Sequence, residues 1–288
     1  MSKLTITEFF KRYPDEDTCL AHVMTVRYGM RHTCRACGVE ATFHRLQNRR
    51  AYACAQCGDN VYPTAGTVLQ DTRTPLQLWF YAIYLFVTTR HGVSGKELQR
   101  QLGVTYKTAW RMGQQLRLLI SASEEFRMLK GHVEADEAFI GGRRPKKQRF
   151  ENKTVVLGMK ERDGIIQTEV VPSTRLWALR EGVMNNVEPG SIVSTDESKS
   201  YNLLTEEGYV HGAVNHSAKQ WAKRDPETGV NHHTNSVESF WRLFKNSIAS
   251  THIHVSKKYM QRYLDEFTFR SNHRQMGNAM FDLLIARF

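Results

Sequence analysis

Five cysteines among 288 residues are too few to staple a protein of this size with disulfides. Apolar runs are short as well: the longest, 76–87, spans twelve residues and includes Gln77. A membrane helix needs ~20. Residues 1–11 interleave charges with apolar side chains and lack the unbroken apolar core of a secretory signal. No glycine-rich phosphate loop of the Walker or dinucleotide type is present, so nucleotide hydrolysis has no support. Internal repeats and low-complexity tracts are absent too. Acidic residues are in deficit: 29 Asp+Glu face 40 Lys+Arg, a net charge of +11. These shortages predict an intracellular protein with no membrane span, a polyanionic partner, and reduced cysteines free to bind metal. With 41% hydrophobic and 24% charged residues the chain can bury a core, which excludes a disordered basic tail.

Four of the cysteines form two knuckles, Cys34-x-x-Cys37 and Cys54-x-x-Cys57, separated by sixteen residues and each followed by glycine. Two residues between thiolates let both reach one tetrahedral ion, and a glycine lets the backbone turn tightly around it. This spacing predicts a structural Zn2+ held by Cys34, Cys37, Cys54 and Cys57 in a zinc ribbon. Between the knuckles a short hairpin is expected with Gln47-Asn48 near its tip, and Cys19 is expected in the core of a preceding helix. From Thr74-Pro75 the texture turns helical, with Thr74 placed to cap and Pro75 to open a helix whose buried stripe runs from Leu76 to Val87. A second helix follows Ser94 and stops at Gly103, and a third starts at Thr105, with Lys107, Arg111 and Arg117 read as its surface cations. The pair reads either as a helix-turn-helix offering Lys107 and Arg111 to DNA, or as a helical linker.

Beyond Gly131 come three strand-like segments (132–140, 153–160, 165–171), a helix (176–187), a fourth strand (191–195), and later helices. That order predicts a mixed α/β domain rather than a doubly wound one. Asp136 lies inside the first strand, Asp196 just past the fourth, and Glu238 within the helix 235–245. A carboxylate buried alone is costly, so each needs a partner. Two readings stand: a shared divalent-metal site, or separate pairing with nearby cations. Alternation puts Glu134 on the side of Asp136 and Glu137 on the other; Glu134 either tunes a metal site or binds an arginine. The run 143–149 carries Arg143, Arg144, Lys146, Lys147 and Arg149, read as a phosphate-tracking loop or a solvated face. His211, His216, His232 and His233 form no metal-binding pattern and read as DNA-contacting or structural. Residues 257–274, with Met260, Tyr263, Leu264 and Phe267 at helical spacing, are expected to close the domain.

Taken together, the cysteine knuckles and the segments 132–142, 194–201 and 234–245 resemble bacterial insertion-sequence transposases related to the eukaryotic Merlin elements, over roughly residues 15–275. The resemblance implies a ribonuclease-H-like catalytic domain whose acidic triad maps onto Asp136, Asp196 and Glu238, holding Mg2+ or Mn2+, two ions in all. Relatives carry a basic residue four positions and a lysine seven positions after the glutamate, matched by Arg242 and Lys245. Some relatives place asparagine at the third position, which makes Asn235 the competitor. Glu238 is preferred because seven residues are almost two helical turns, so it and Lys245 share one face about 10 Å apart. Arg242 either contacts DNA or pairs with Glu238.

The expected organisation is an N-terminal helix with zinc ribbon (1–68), a helix-turn-helix region (72–125) and the ribonuclease-H-like catalytic domain with a C-terminal helix (130–288). The expected activity is transposition: binding of double-stranded DNA at terminal inverted repeats, hydrolysis of a phosphodiester, and transfer of the freed 3′-hydroxyl to target DNA. A homo-oligomer on DNA in the bacterial cytoplasm, at the nucleoid, is implied. A transposase-derived DNA-binding regulator without catalysis, and a nuclease without strand transfer, are the competing readings.

Overall fold

The structure, a computed structural model, describes residues 4–123, 125–142, 153–226, 228–277 and 279–288. It divides into two compact units, Met1–Ser123 with Gln275–Phe288, and Glu124–Arg274.

In the first unit, α1 (Ile6–Arg12) opens with a reciprocal Thr5/Glu8 capping box and α2 (Glu16–Arg27) is capped by Asp15. Four short antiparallel strands follow: β1 (Arg31–Thr33), β2 (Glu40–Leu46), β3 (Ala51–Cys54) and β4 (Asn60–Val61), in that spatial order. The β2–β3 turn carries Gln47-Asn48, as the sequence suggests. Helix α3 (Leu76–Thr88) differs from expectation by one residue, because Pro75 itself holds the cap position. A remote carboxylate replaces Thr74 as the cap: Glu16 Oε2 accepts the Leu76 N–H at 2.6 Å. Helix α4 (Gly95–Leu102) begins at Ser94, which accepts from the Glu97 N–H, and ends at Gly103 in the left-handed region at φ 65°. Helix α5 (Tyr106–Ser123) follows after two residues.

Two expectations are corrected here. Arg117 is not a surface cation: it is only 3% exposed, with its guanidinium 5.1 Å from the Phe86 ring centre and Nη2 donating to the Val93 carbonyl. The end of the chain does not stay with residues 130–274. Helix α9 (Ala279–Ala286) belongs to the first unit, where Phe281 packs 5.6 Å from the Tyr13 ring and 6.0 Å from Phe9, and Asp282 binds Arg12 at 2.7 Å. Buried Met280, Phe281, Leu284 and Ile285 drive that docking.

The second unit is a mixed α/β fold. A five-stranded sheet has the order β7-β6-β5-β8-β9, built from β5 (His132–Ile140), β6 (Thr154–Glu161), β7 (Ile166–Val171), β8 (Ile192–Asp196) and β9 (Val210–Val214). The first three strands form an antiparallel meander; β8 and β9 lie parallel to β5. Helix α6 (Leu176–Asn186) makes the crossover from β7 to β8. Strand alternation splits the core: Val133 and Ala135 face α6, whereas Ala138 and Ile140 face α7 (Asn235–Ser247) and α8 (Met260–Asn272). A small hairpin, β10 (Lys223–Arg224) with β11 (Asn231–His232), precedes α7.

Candidate active site

Parallel pairing of β5 with β8 matches Glu134 to Ser194, so two residues further on Asp136 and Asp196 occupy equivalent places on neighbouring strands. Both therefore point to the α7 side of the sheet. Gly158, the β6 partner of Asp136, explains how α7 comes so close. A Cβ there would stand 2.5 Å from the Trp241 ring and 3.0 Å from Val237, so the missing side chain makes the hollow in which the helix rests. Along α7, Val237, Phe240, Trp241 and Phe244 form the buried stripe, and Glu238, Arg242 and Lys245 follow a second stripe beside it.

The register of α7 is held by a carboxylate from β5. Glu134, fully buried, accepts from the N–H groups of Ser236 (2.8 Å) and Val237 (3.2 Å) and from the Ser236 hydroxyl (3.1 Å). These are N–H groups that a helix start leaves without partners, and Thr234 makes no side-chain cap for them. Arg162 Nε at 3.5 Å sets a positive charge against this carboxylate, and His233 Nδ1 lies 3.0 Å from the same oxygen. Thr234 is instead turned to Glu238, donating its hydroxyl to Oε1 at 2.7 Å, and His216 Nδ1 stands 3.4 Å from the same oxygen. Asp196 accepts from the Ser198 N–H at 3.0 Å.

Burial, then Glu137, Asp196 and Glu238, push the Asp136 carboxyl well above the ordinary aspartate value, with Lys245 opposing. Asp196 is raised too, first by burial and, among neighbouring charges, by Glu197 and Glu238, while the Ser198 N–H and His216 oppose. Acids that resist their own ionisation in this way suit a cation, which would relieve the repulsion. The three carboxylates are spread wider than one coordination sphere, since among the described residues only the cysteine sulfurs form a ligand set of three or more within 4.8 Å. That spread is compatible with two ions sharing the acids between them. Glu137 faces the other side of the sheet, as alternation predicts, and accepts from the buried Tyr201 hydroxyl at 2.8 Å.

The cysteines meet a stricter geometric test. All four sulfurs lie within 4.8 Å of one another, and Cys34 and Cys57 are 3.7 Å apart. A tetrahedron with ~2.3 Å arms has edges of about 3.8 Å. Each knuckle closes alike, Gly38 N donating to Cys34 O and Gly58 N to Cys54 O at 2.9 Å, with both glycines at positive φ. The Cys37 backbone N–H is the first of several donors that bring the Cys34 thiol down to about 7. Cys19 stands apart, buried in α2.

With this geometry in view, comparison with known proteins is decisive. Residues 128–272 match the family described as the ISXO2-like transposase domain. The chain belongs to this transposase family. Residues 14–60 match the transposase zinc-ribbon domain. A Haemophilus influenzae protein described as an uncharacterized transposase-like protein is 28% identical over 116 residues, covering 40% of this chain and 87% of that protein.

Of the cations singled out for DNA, Lys107 and Arg111 lie exposed on α5 of the first unit. Arg242 and Lys245 are exposed on α7 of the transposase domain. Among the described residues no ion pair joins Arg242 to Glu238, whose oxygen is taken by Thr234 and His216. Lys245 also lines a cavity of about 450 Å³ with Phe139, Gly141, Gly142 and Ile253. Arg143, Arg144, Lys146, Lys147 and Arg149 lie outside the described residues. Asn235 is the exposed first residue of α7.

Sequence reasoning missed the helix-holding role of Glu134 and the contact of His216 with Glu238. The first had a signal, an acid two residues before Asp136 on the same strand face. The second had none, because only the fold brings the loop after β9 to α7. Three further histidines bond within the sheet region: buried His232 meets the Ser194 hydroxyl through Nδ1 at 2.8 Å, half-buried His132 meets it through Nε2 at 2.7 Å, and half-buried His211 lies 2.9 Å from the Thr195 hydroxyl through Nε2.

Proposed function

We propose that this chain is a metal-dependent DNA transposase with a ribonuclease-H-like catalytic domain. It binds the ends of its element, hydrolyses a phosphodiester there, and joins the freed 3′ end to target DNA, its hydroxyl attacking a target phosphodiester and displacing the target strand's own 3′-hydroxyl. The observation that carries the reading is the convergence of Asp136, Asp196 and Glu238, from two neighbouring parallel strands and one helix, so closely that each acid raises the pKa of Asp136. Asp136, Asp196 and Glu238 would hold Mg2+ or Mn2+. Bound there, divalent ions supply Lewis-acid stabilisation of the phosphoryl oxygens and a more acidic attacking hydroxyl. Glu238 is the third member, rather than Asn235, because its charge acts on both aspartates.

The chain's own residues do the rest. Glu134 fixes the start of α7, and through it the place of Glu238. Lys245, whose charge reaches Asp136, holds a phosphate near the scissile bond, and Arg242 tracks the backbone beside it. The ribbon and the α4–α5 pair, read as a helix-turn-helix with Lys107 and Arg111, bind the element end. Joining two ends in one event requires a dimer or larger assembly on DNA.

The test is cleavage and strand transfer from an end-containing duplex into a plasmid, with Mg2+ or Mn2+. Asp136→Ala, Asp196→Ala and Glu238→Ala should each abolish cleavage and leave end binding within a fewfold of wild type, while Asn235→Ala is milder. End binding without cleavage in either metal would make the protein a regulator. Cleavage without transfer would make it a nuclease.

A further inference from the structure

The loop between β9 and the β10–β11 hairpin is built against the acidic site. Asn215 organises it: its Oδ1 accepts from the Ala218 N–H at 2.7 Å and its carbonyl from the Gln220 N–H at 2.9 Å. Glu197, next to Asp196, accepts from both the N–H and the hydroxyl of Ser217. Lys219 takes the left-handed conformation at φ 59° to complete the turn. The loop thereby lays His216 against Glu238, and on His216 rests Trp221, ring centres 5.2 Å apart.

Trp221 is 58% exposed. A side chain that ordinarily buries well over 100 Å² is thus left in water one ring away from the glutamate of the site. The fold gains little from it there. Around it in the chain stand Lys219, Lys223 and Arg224, all exposed, in a protein of net charge +11. The neighbouring acids are engaged: Glu197 with Ser217, Asp225 in its own turn with the Thr228 N–H, and Glu238 with Thr234. An exposed aromatic interleaved with cations is the chemistry that grips a single strand, because bases stack on the ring while phosphates meet the cations.

We propose that Trp221 is a stacking platform for an unpaired nucleobase of the DNA strand held at the Asp136–Asp196–Glu238 site, with Lys219, Lys223 and Arg224 meeting the adjacent phosphates. This rests on the DNA-cleaving reading above. Stacking offsets the cost of unpairing a base beside the scissile phosphate, so the strand can enter the acidic site. Since every base has a π face, the contact favours open strands and reads no particular sequence.

Two measurements on the full chain test it. The first titrates a short single-stranded thymidine oligonucleotide and follows tryptophan emission. Wild type should be quenched, and Trp221→Phe, which removes one of five tryptophans, should lose most of that quench. The second compares single-turnover cleavage, at saturating protein, of a paired end and of an end mispaired beside the cut. Trp221→Ala should cut the paired end about 5- to 150-fold more slowly, the effect of losing one base–aromatic stack. Trp221→Phe should restore most of the rate, and mispairing should rescue Trp221→Ala, because the base is then already free. Equal quenching in wild type and Trp221→Phe, or unchanged cleavage of the paired end by Trp221→Ala, overturns the proposal and leaves the transposase reading standing. If wild type cleaves neither end, that reading fails, and the quench alone decides whether Trp221 binds bases.

Discussion

Lys245 stands on α7 seven residues after Glu238, about 10 Å along the helix, and its charge reaches Asp136. If it meets one phosphate, removing it releases one fewer condensed counterion on binding. Lys245→Ala should then lower the salt slope of end binding by roughly one unit and weaken affinity alike for all sequences. Cleavage should fall further than binding, since a displaced scissile phosphate loses its attack geometry. Lys257→Ala is the comparison cation, and equal small effects at both positions would remove Lys245 from the site. A second residue carries a pH dependence. Glu161 is held below its ordinary 4.5, first by Arg127, which donates to both carboxylate oxygens at 2.6 Å, and also by the Lys130 and Ile165 N–H groups. A carboxyl whose pKa is depressed by folding contributes stability above its unfolded value and loses it as the pH falls through the folded one. Glu161→Gln should therefore lower the urea midpoint at neutral pH, and the gap from wild type should close on acidification. A gap that is the same at every pH would show that the ion pair is not its source.

At the scale of elements, α7 is the part on which the site depends, and its position has two causes that the sequence reveals unequally. The helix itself is legible: Val237, Phe240, Trp241 and Phe244 announce the buried stripe, and Glu238 and Lys245 fall beside it. Strands β5 and β8 are legible too, by alternation and by their apolar cores. What seats α7 on the sheet is not. Gly158 reads as one more glycine in an apolar run, and only the register opposite Asp136 shows the Trp241 ring lying over it. Glu134 reads as tuning a metal site or binding an arginine; Arg162 does stand 3.5 Å away, but the hydrogen bonds of Glu134 go to a helix start about a hundred residues later. Strand β9 was not expected, because Val210–Val214 carries His211 and Gly212 where an apolar pattern would be looked for. Glu134→Gln should cost about 1.5–3 kcal/mol, as for a hydrogen bond to a charged group, seen as a lower denaturant midpoint. It should also reduce cleavage more than end binding, because the helix that loosens carries Glu238 and Lys245. Equal losses of binding and cleavage would mean that Glu134 supports the fold without placing the site.

For the molecule as a whole, the excess of 11 positive charges and the two cysteine knuckles were legible from composition and spacing, because charge is a sum that needs no fold and each knuckle joins residues close in sequence. The allotment of the last residues was not. Segment 275–288 joins the first unit through Phe281, Leu284 and Ile285, and no local pattern says which core a terminal apolar helix will enter. No helix among the described residues is long and apolar enough to cross a membrane. The ribbon's strands are only two to seven residues long, so an ion at the four sulfurs should supply much of the folding energy of residues 31–61. Purified protein should hold about one zinc per chain, and less than about half in folded, unchelated samples would sink the assignment. Cys37→Ser and Cys57→Ser, which change exposed ligands, should abolish retention. Cys19→Ala should keep the zinc yet lower stability, because its thiol is fully buried in α2 and lies outside the cluster of four sulfurs. Zinc lost from Cys19→Ala but kept by Cys37→Ser would exchange the two roles, an outcome that the 4.8 Å clustering of the other four sulfurs argues against.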